Sequence, residues 1–125
     1  MTAPNIVLVG TITGKSTGLA LTNQAGTTAN KTIVANASGS NKVIKVNTLI
    51  VSNIHGSSSH DVTAYVNKNG GSNFHIAYTI AVPADATLVL ISKDTSIYLE
   101  ENDTLLIYAS STSALSAVCS YEEIS

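Results

Sequence analysis

The three histidines and the acidic residues near them have the types that metal binding requires. His55, His60 and Asp61 lie within a short polar stretch and could supply nitrogen and oxygen ligands to zinc. No pair has the i, i+4 spacing of a helix or the i, i+2 spacing of a strand that preorganises such ligands, so the pattern favours solvated or hydrogen-bonded loop histidines. The sequence therefore predicts no metal site, although a three-fold axis could bring copies of one histidine together.

An acidic run, Glu100-Glu101-Asn102-Asp103, could offer oxygen ligands to calcium. Asn and Asp are also turn residues, because their side chains bond to nearby backbone groups. Glycoside hydrolysis needs two carboxylates across a cleft, and the adjacent pair Glu100 and Glu101 does not suggest one. We interpret the run as a turn before a strand.

Motifs for a nucleophile or a phosphate site are weak. Cys119 alternates with Ala117 and Tyr121 and has no accompanying His–Asn or His–Asp signature, so we interpret it as a small buried hydrophobe. Residues 10–16 have three residues between two glycines, where a phosphate-binding loop has four, and no helix is predicted after them. The sequence predicts no catalytic residue and no cofactor.

The composition of the chain is that of one small folded domain with few charges. Its 125 residues are 44% hydrophobic and 11% charged, with six Lys, no Arg and a net charge of −2. Low positive charge argues against a nucleic-acid partner, and no apolar run approaches the roughly 20 residues of a membrane helix. One cysteine and the lack of a basic segment before the apolar residues 6–9 predict folding in a reducing cytoplasm.

Hydrophobic residues recur with a period of two, which predicts strands rather than helices. Residues 62–66 and 74–82 are two half-buried strands, and Asn69-Gly70 between them predicts a hairpin turn. Alternation in the second strand places Phe74, Ile76, Tyr78, Ile80 and Val82 on one face and His75, Ala77, Thr79 and Ala81 on the other. Further strands are predicted at residues 6–13, 32–37, 43–54, 86–92, 97–99, 104–109 and 115–122, with a turn at residues 83–85. The fold class that follows is an all-β antiparallel β-sandwich, of jelly-roll or immunoglobulin-like type.

The chain divides by composition into two parts. Residues 14–41 are poor in hydrophobic side chains, so we predict an extended N-terminal arm and loops over residues 1–41 and a β-sandwich body over residues 42–125. Residues 88–91 and 105–108 are apolar on both faces. Either both runs lie in the core under loops, or another subunit covers their outer faces. The second alternative leads us to expect an oligomer, because an apolar face left exposed to water loses several kcal/mol of hydrophobic stabilisation.

Short segments spread over most of the chain carry a family pattern. They are Ala3-Pro4-Asn5-Ile6-Val7, residues 11–15, 42–47, 51–54, 82–87, 92–94 and 97–101, and the terminal Cys119-Ser120-Tyr121-Glu122-Glu123-Ile124-Ser125. Together they resemble small virion structural proteins of tailed phages, especially phages of marine and freshwater bacteria such as cyanophages. Asn102 stands where this pattern has Gly, and Asn also tolerates the left-handed conformation of such a turn.

The resemblance implies a non-enzymatic protein of the virion, made in the host cytoplasm. The function we predict is that of a capsid decoration (cement) protein, trimeric, bound on the outer shell between hexamers of the major capsid protein. The predicted capsid contacts are Ala3, Pro4, Asn5, Ile6 and Lys15. The predicted subunit contacts are Leu88, Leu90, Leu106 and Tyr108. Neither nucleic acid nor a membrane is an expected partner.

Two alternatives stay open. The chain could be a tail, baseplate or fibre-associated component of the virion. It could also be a carbohydrate-binding β-sandwich module, in which planar aromatic side chains face sugar rings. Because the chain has no Trp, its five Tyr and Phe74 would have to do this, and Tyr65 and Tyr78 are the positions to test. An enzyme is the least favoured class.

Overall fold

A computed structural model describes residues 10–125 as two antiparallel sheets packed face to face, which confirms the predicted all-β sandwich. The strands are β1 (Ile12–Ala20), β2 (Thr32–Ala35), β3 (Val43–Asn53), β4 (His60–Asn67), β5 (Asn73–Val82), β6 (Thr87–Ile91), β7 (Ile97–Leu99), β8 (Thr104–Ala109) and β9 (Leu115–Ile124). A single-turn helix, α1 (Thr28–Lys31), precedes β2, and a 3-10 turn (Lys93–Thr95) follows β6. Within the described part of the chain, neither helix has the length or apolar character to cross a membrane.

The strands pair in a nested order that identifies the jelly-roll alternative. The first strand pairs with the last, β2 with β8, β3 with both β6 and β7, and β4 with β5. Pairing of β9 with β3 and of β8 with β4 then joins these hairpins into two sheets. Sheet 1 has the order β1-β9-β3-β6, with β7 also beside β3, and sheet 2 has the order β2-β8-β4-β5. This is the double-sheet arrangement of a jelly roll.

One hydrophobic core lies between the two sheets. On β3, Leu49 and Val51 are fully buried, and on β8, Leu105 and Ile107 are fully buried, so alternate residues of each strand point inward as period-two patterning requires. Cys119 on β9 belongs to the same cluster and is also fully buried, which confirms its assignment as a core residue. Burial of these apolar side chains supplies most of the driving force for folding.

The turns follow from residues that tolerate positive φ. Asn69 and Gly70 have φ of 53° and 70°, and the N–H of Gly71 donates to the carbonyl of Lys68 at 2.8 Å, which confirms the predicted hairpin between β4 and β5. Asp85 has φ of 61° in the predicted turn before β6. Asn102 has φ of 69°, so it takes the left-handed conformation in place of glycine.

The predicted boundary at residue 42 does not separate an arm from the sandwich. Strand β1 pairs with β9 over its full length, and β2 pairs with β8, so both lie inside the sheets. Because β1 is an edge strand whose residues are mostly exposed, it lacks the hydrophobic alternation that would have predicted it. The predicted strand at residues 6–13 overlaps β1 only at its end, and residues 1–9 lie outside the described part of the chain.

Candidate functional site

The acidic run proposed as a turn forms one, and Asp103 holds it in place. The Asp103 carboxylate is buried and accepts hydrogen bonds from the backbone N–H of Asn69 at 3.0 Å and of Glu100 at 2.9 Å. It also accepts from the Lys68 ammonium group. This residue therefore ties the β4–β5 turn to the β7–β8 turn, and its oxygens are used within the chain.

The residues that could bind zinc or act as a nucleophile are arranged for neither task. The rings of His55 and His60 meet edge to face with centroids 5.1 Å apart. Across residues 10–125, no three His, Cys, Asp or Glu side chains converge as metal ligands would. Burial raises the pKa of the Cys119 thiol to about 12, so the thiol is neutral and unreactive at physiological pH.

Four aromatic side chains meet on the outer side of sheet 2, and we call them the tyrosine face. Tyr108 on β8, Tyr65 on β4 and His75 with Tyr78 on β5 lie on three neighbouring strands. Ring centroids are 6.4 Å apart for Tyr65 and Tyr108, 5.3 Å for Tyr65 and His75, and 5.2 Å for His75 and Tyr78. The Lys31 ammonium lies 5.6 Å from the centre of the Tyr108 ring. The face is thus continuous across the sheet.

Two bulges in β5 create this cluster and correct the predicted alternation. An extra residue is present at Ile76, and Tyr78 and Thr79 together lie opposite Thr63. The bulge at Ile76 turns Tyr78 to the same side as His75, where strict alternation puts the two on opposite sides. Thr79 has φ of 49°, which is strained for a β-branched residue, and its N–H donates to the Thr63 hydroxyl at 3.0 Å. Sequence patterning contains no signal for these bulges.

Because β5 lies at the edge of sheet 2, it is more exposed than the half-buried strand that the sequence predicts there. Only Ala77 and Val82 in this strand are buried, because β5 pairs with β4 alone. Phe74, Ile76 and Ile80 expose 61%, 37% and 42% of their surfaces. The edge strand therefore carries an apolar surface beside the tyrosine face.

Two depressions flank the tyrosine face. One, of about 300 Å³, lies between α1 and β4 and includes Tyr65, Asn67 and Asn73 in its wall. The other, of about 430 Å³, includes Tyr78 and Tyr108 together with polar side chains. Both volumes fall at the lower end of the range for small-ligand sites, about 300–1,000 Å³. Burial raises the pKa of Tyr65, and Tyr108 nearby raises it further, so the Tyr65 hydroxyl stays protonated and can donate.

The outer side of sheet 1 carries a second broad surface, which we call the uncharged face. Its central row crosses four strands as Gly18, Val118, Ile50 and Val89, according to the strand registers. The adjacent rows contain Ala20, Ser116, Ser52 and Thr87 on one side and Ser16, Ser120 and Thr48 on the other. Val118 and Val89 expose 51% and 56% of their surfaces. These three rows form a surface of small side chains without a charge.

The four predicted subunit contacts do not form one surface in the structure. Leu88 and Leu90 pack partly buried against the core, and Val89 between them faces solvent. Leu106 is 3% exposed and lies beside Thr32 of β2, so it is covered within the chain. Tyr108 belongs to the tyrosine face and is partly exposed.

The predicted capsid contacts lie almost entirely outside the described residues. Ala3, Pro4, Asn5 and Ile6 fall in residues 1–9, and Lys15 lies on β1. The Lys15 ammonium contacts a carboxylate oxygen of Glu123 at 3.0 Å, and Lys42 contacts the same oxygen at 3.3 Å.

No family model, curated protein or solved structure matches this chain. The two faces are therefore interpreted from their own chemistry.

Proposed function

We propose that this chain is a structural protein of a tailed-phage virion, and specifically a capsid decoration protein bound to the major capsid protein. The sequence segments that resemble phage virion proteins support this proposal, and so does the jelly-roll architecture, which viral capsid domains share with other protein classes. The observation that carries the proposal is the uncharged face of sheet 1.

A surface of this kind suits a protein that covers a flat neighbour. Ordering long charged side chains at an interface costs conformational entropy, and the three rows of the uncharged face contain none. The exposed Val118 and Val89 supply apolar contact at the centre of the face. Repetition of one modest contact around a shell gives high avidity without a single strong site.

Self-association into a trimer is part of the same proposal. Phe74, Ile76 and Ile80 give the β5 edge an exposed apolar surface of the type that a second copy would cover. Light scattering on the purified protein checks this, with Ile76→Lys as the disrupting variant. A monomer at all concentrations tested would remove the trimer from the proposal and leave capsid binding to be judged separately.

Capsid binding is tested by adding the purified chain to particles that lack it. Val118→Lys and Val89→Lys place a charge at the centre of the uncharged face, and we expect each to reduce occupancy. Ile54→Lys is the matched control, because Ile54 is 62% exposed but lies in the loop after β3, outside this face. Removal of residues 1–9 tests the predicted arm and leaves β1 intact. Equal occupancy for all variants would overturn the proposed contact surfaces.

A tail, baseplate or fibre component is separated from a decoration protein by its copy number. Quantitative mass spectrometry of purified particles should give a number comparable to that of the major capsid protein. A number that matches the tail proteins instead would favour the alternative. A cryo-EM map of the same particles locates the chain directly.

A further inference from the structure

We propose that the tyrosine face is a binding site for a neutral oligosaccharide. This inference is independent of capsid binding, because it concerns the opposite sheet and a soluble ligand. The ligand class follows from three features of the face: its exposed aromatic rings, the amide groups beside them and the charges nearby.

The rings supply the apolar part of such a site. A sugar ring presents a face of C–H groups together with a rim of hydroxyls, so it packs on flat amphipathic side chains. Tyr78 is 64% exposed, and Tyr65 and Tyr108 are half-buried, so each keeps ring surface available while its position is fixed by neighbours. Three of the chain's five tyrosines gather here, and Tyr98 lies on the other sheet.

Side-chain amides beside the rings supply the polar part. In the smaller depression, the Nδ2 group of Asn67 donates to the carbonyl of Gly71 at 2.9 Å and to Oδ1 of Asn73 at 2.7 Å. These bonds fix both side chains and leave Oδ1 of Asn67 and Nδ2 of Asn73 without another partner among the described residues. One acceptor and one donor held at fixed positions suit a pair of sugar hydroxyls. The wall of the larger depression contains two further polar side chains, those of Gln24 and Asp61.

The charges near the rings favour a neutral ligand over an acidic one. Asp61 places a carboxylate in the larger depression, where it repels an anionic sugar. The Lys31 ammonium lies beside the face, where it donates to the Gln24 carbonyl oxygen at 3.3 Å and contacts the Tyr108 ring. These contacts already occupy the ammonium group. The chain has no arginine to form a bidentate contact with a sugar carboxylate or sulfate.

Backbone strain at the edge of the face supports a role for it. Thr79 holds a positive φ that is unfavourable for a β-branched L-residue, and strain of this type is often found at binding sites. The bulge at Thr79 directly follows Tyr78, and the buried Thr63 hydroxyl holds the backbone there by accepting from the Thr79 N–H. The ring positions are thus set before a ligand arrives, which reduces the entropy lost on binding.

The test is a printed array of neutral and acidic oligosaccharides probed with the full-length protein, followed by titration of the strongest-binding glycan in solution. Tyrosine fluorescence is a direct readout, because the chain has no Trp to mask it. We expect Tyr65→Ala and Tyr78→Ala each to weaken binding roughly tenfold. Tyr98→Ala is the matched control, since it removes an equally large ring that is 46% exposed on sheet 1.

Each outcome either supports or overturns the proposed site. Selective binding of neutral glycans that is lost in Tyr65→Ala and Tyr78→Ala, and kept in Tyr98→Ala, supports the site. No binding on the array, preference for acidic glycans, or equal binding by all variants overturns it. Capsid occupancy of the tyrosine variants, measured separately, should equal that of the wild type, so failure here does not touch the proposed decoration function.

Discussion

The rings of His75 and Tyr78 meet edge to face, with centroids 5.2 Å apart, although three positions separate these residues along one β-strand. Residues separated by three positions on a regular strand point to opposite faces of the sheet. The extra residue at Ile76 reverses this relationship, and the second bulge at Thr79 restores the inward direction for Val82. The local backbone of β5 therefore decides which side chains form the tyrosine face.

The second bulge should depend on the buried hydroxyl of Thr63. Thr63→Val preserves the shape of the side chain but leaves the N–H of Thr79 without its acceptor, so we expect a loss of about 1–3 kcal/mol in the free energy of unfolding. Urea denaturation measures the change. Thr63→Ser is the control, because it keeps the hydroxyl and should cost less. Wild-type stability in Thr63→Val would mean that the bulge forms without this bond.

Asp103 should be the most sensitive of the acidic residues to substitution. Asp103→Ala removes a buried acceptor from two backbone N–H groups and from the Lys68 ammonium, so we expect a loss of about 2–4 kcal/mol in the free energy of unfolding. Glu100→Ala serves as the control, because its carboxylate is 71% exposed and lies 4.0 Å from Lys68. Equal effects of the two substitutions in thermal denaturation would contradict this assignment.

Acid should weaken the contact between β1 and β9 at Glu123. Hydrogen bonding from Lys15, with a further contribution from Lys42, lowers the pKa of the Glu123 carboxyl below its usual 4.5 in the folded state. A lowered folded-state pKa adds stability above the unfolded-state pKa, and this contribution is lost as the pH falls below 4.5 through the folded-state value.

Measuring the free energy of unfolding as a function of pH tests this prediction. The excess stability of the wild type over Glu123→Gln should be largest above pH 4.5 and should shrink in more acidic solution. Lys15→Met removes the principal partner and should flatten the same part of the wild-type curve. Parallel curves for the wild type and Glu123→Gln would rule out the linkage.

Cys119 should be unreactive until the protein unfolds. Its side chain is fully buried and its pKa is raised to about 12, so little thiolate exists at neutral pH. A thiol reagent such as Ellman's reagent should label the native protein very slowly and the urea-denatured protein rapidly. Val118→Cys in a Cys119→Ala background is the control, because Val118 is the exposed neighbour on the same strand. Fast labelling of the native wild type would show that the core opens at β9.

Much of the fold was predictable because local signals coincide with it. The strands at residues 97–99 and 104–109 were predicted with their observed bounds. The Asn69-Gly70 turn was predictable because few residue pairs tolerate two successive positive φ angles. β1 was not predictable in the same way, since an exposed edge strand of Gly, Ser and Thr buries too little to need alternation.

The amino-acid sequence determined by itself that this chain forms an all-β domain with few charges and with Cys119 in its core, because composition and period-two burial are local properties. Tertiary structure alone decided that the strands nest as a jelly roll, since pairing of β1 with β9 joins residues from opposite ends of the chain. It alone also gathered Tyr65, Tyr78 and Tyr108 on one face. The bulge at Ile76 sets the direction of Tyr78, and such bulges arise from the fit between neighbouring strands, not from the residue pattern of either one.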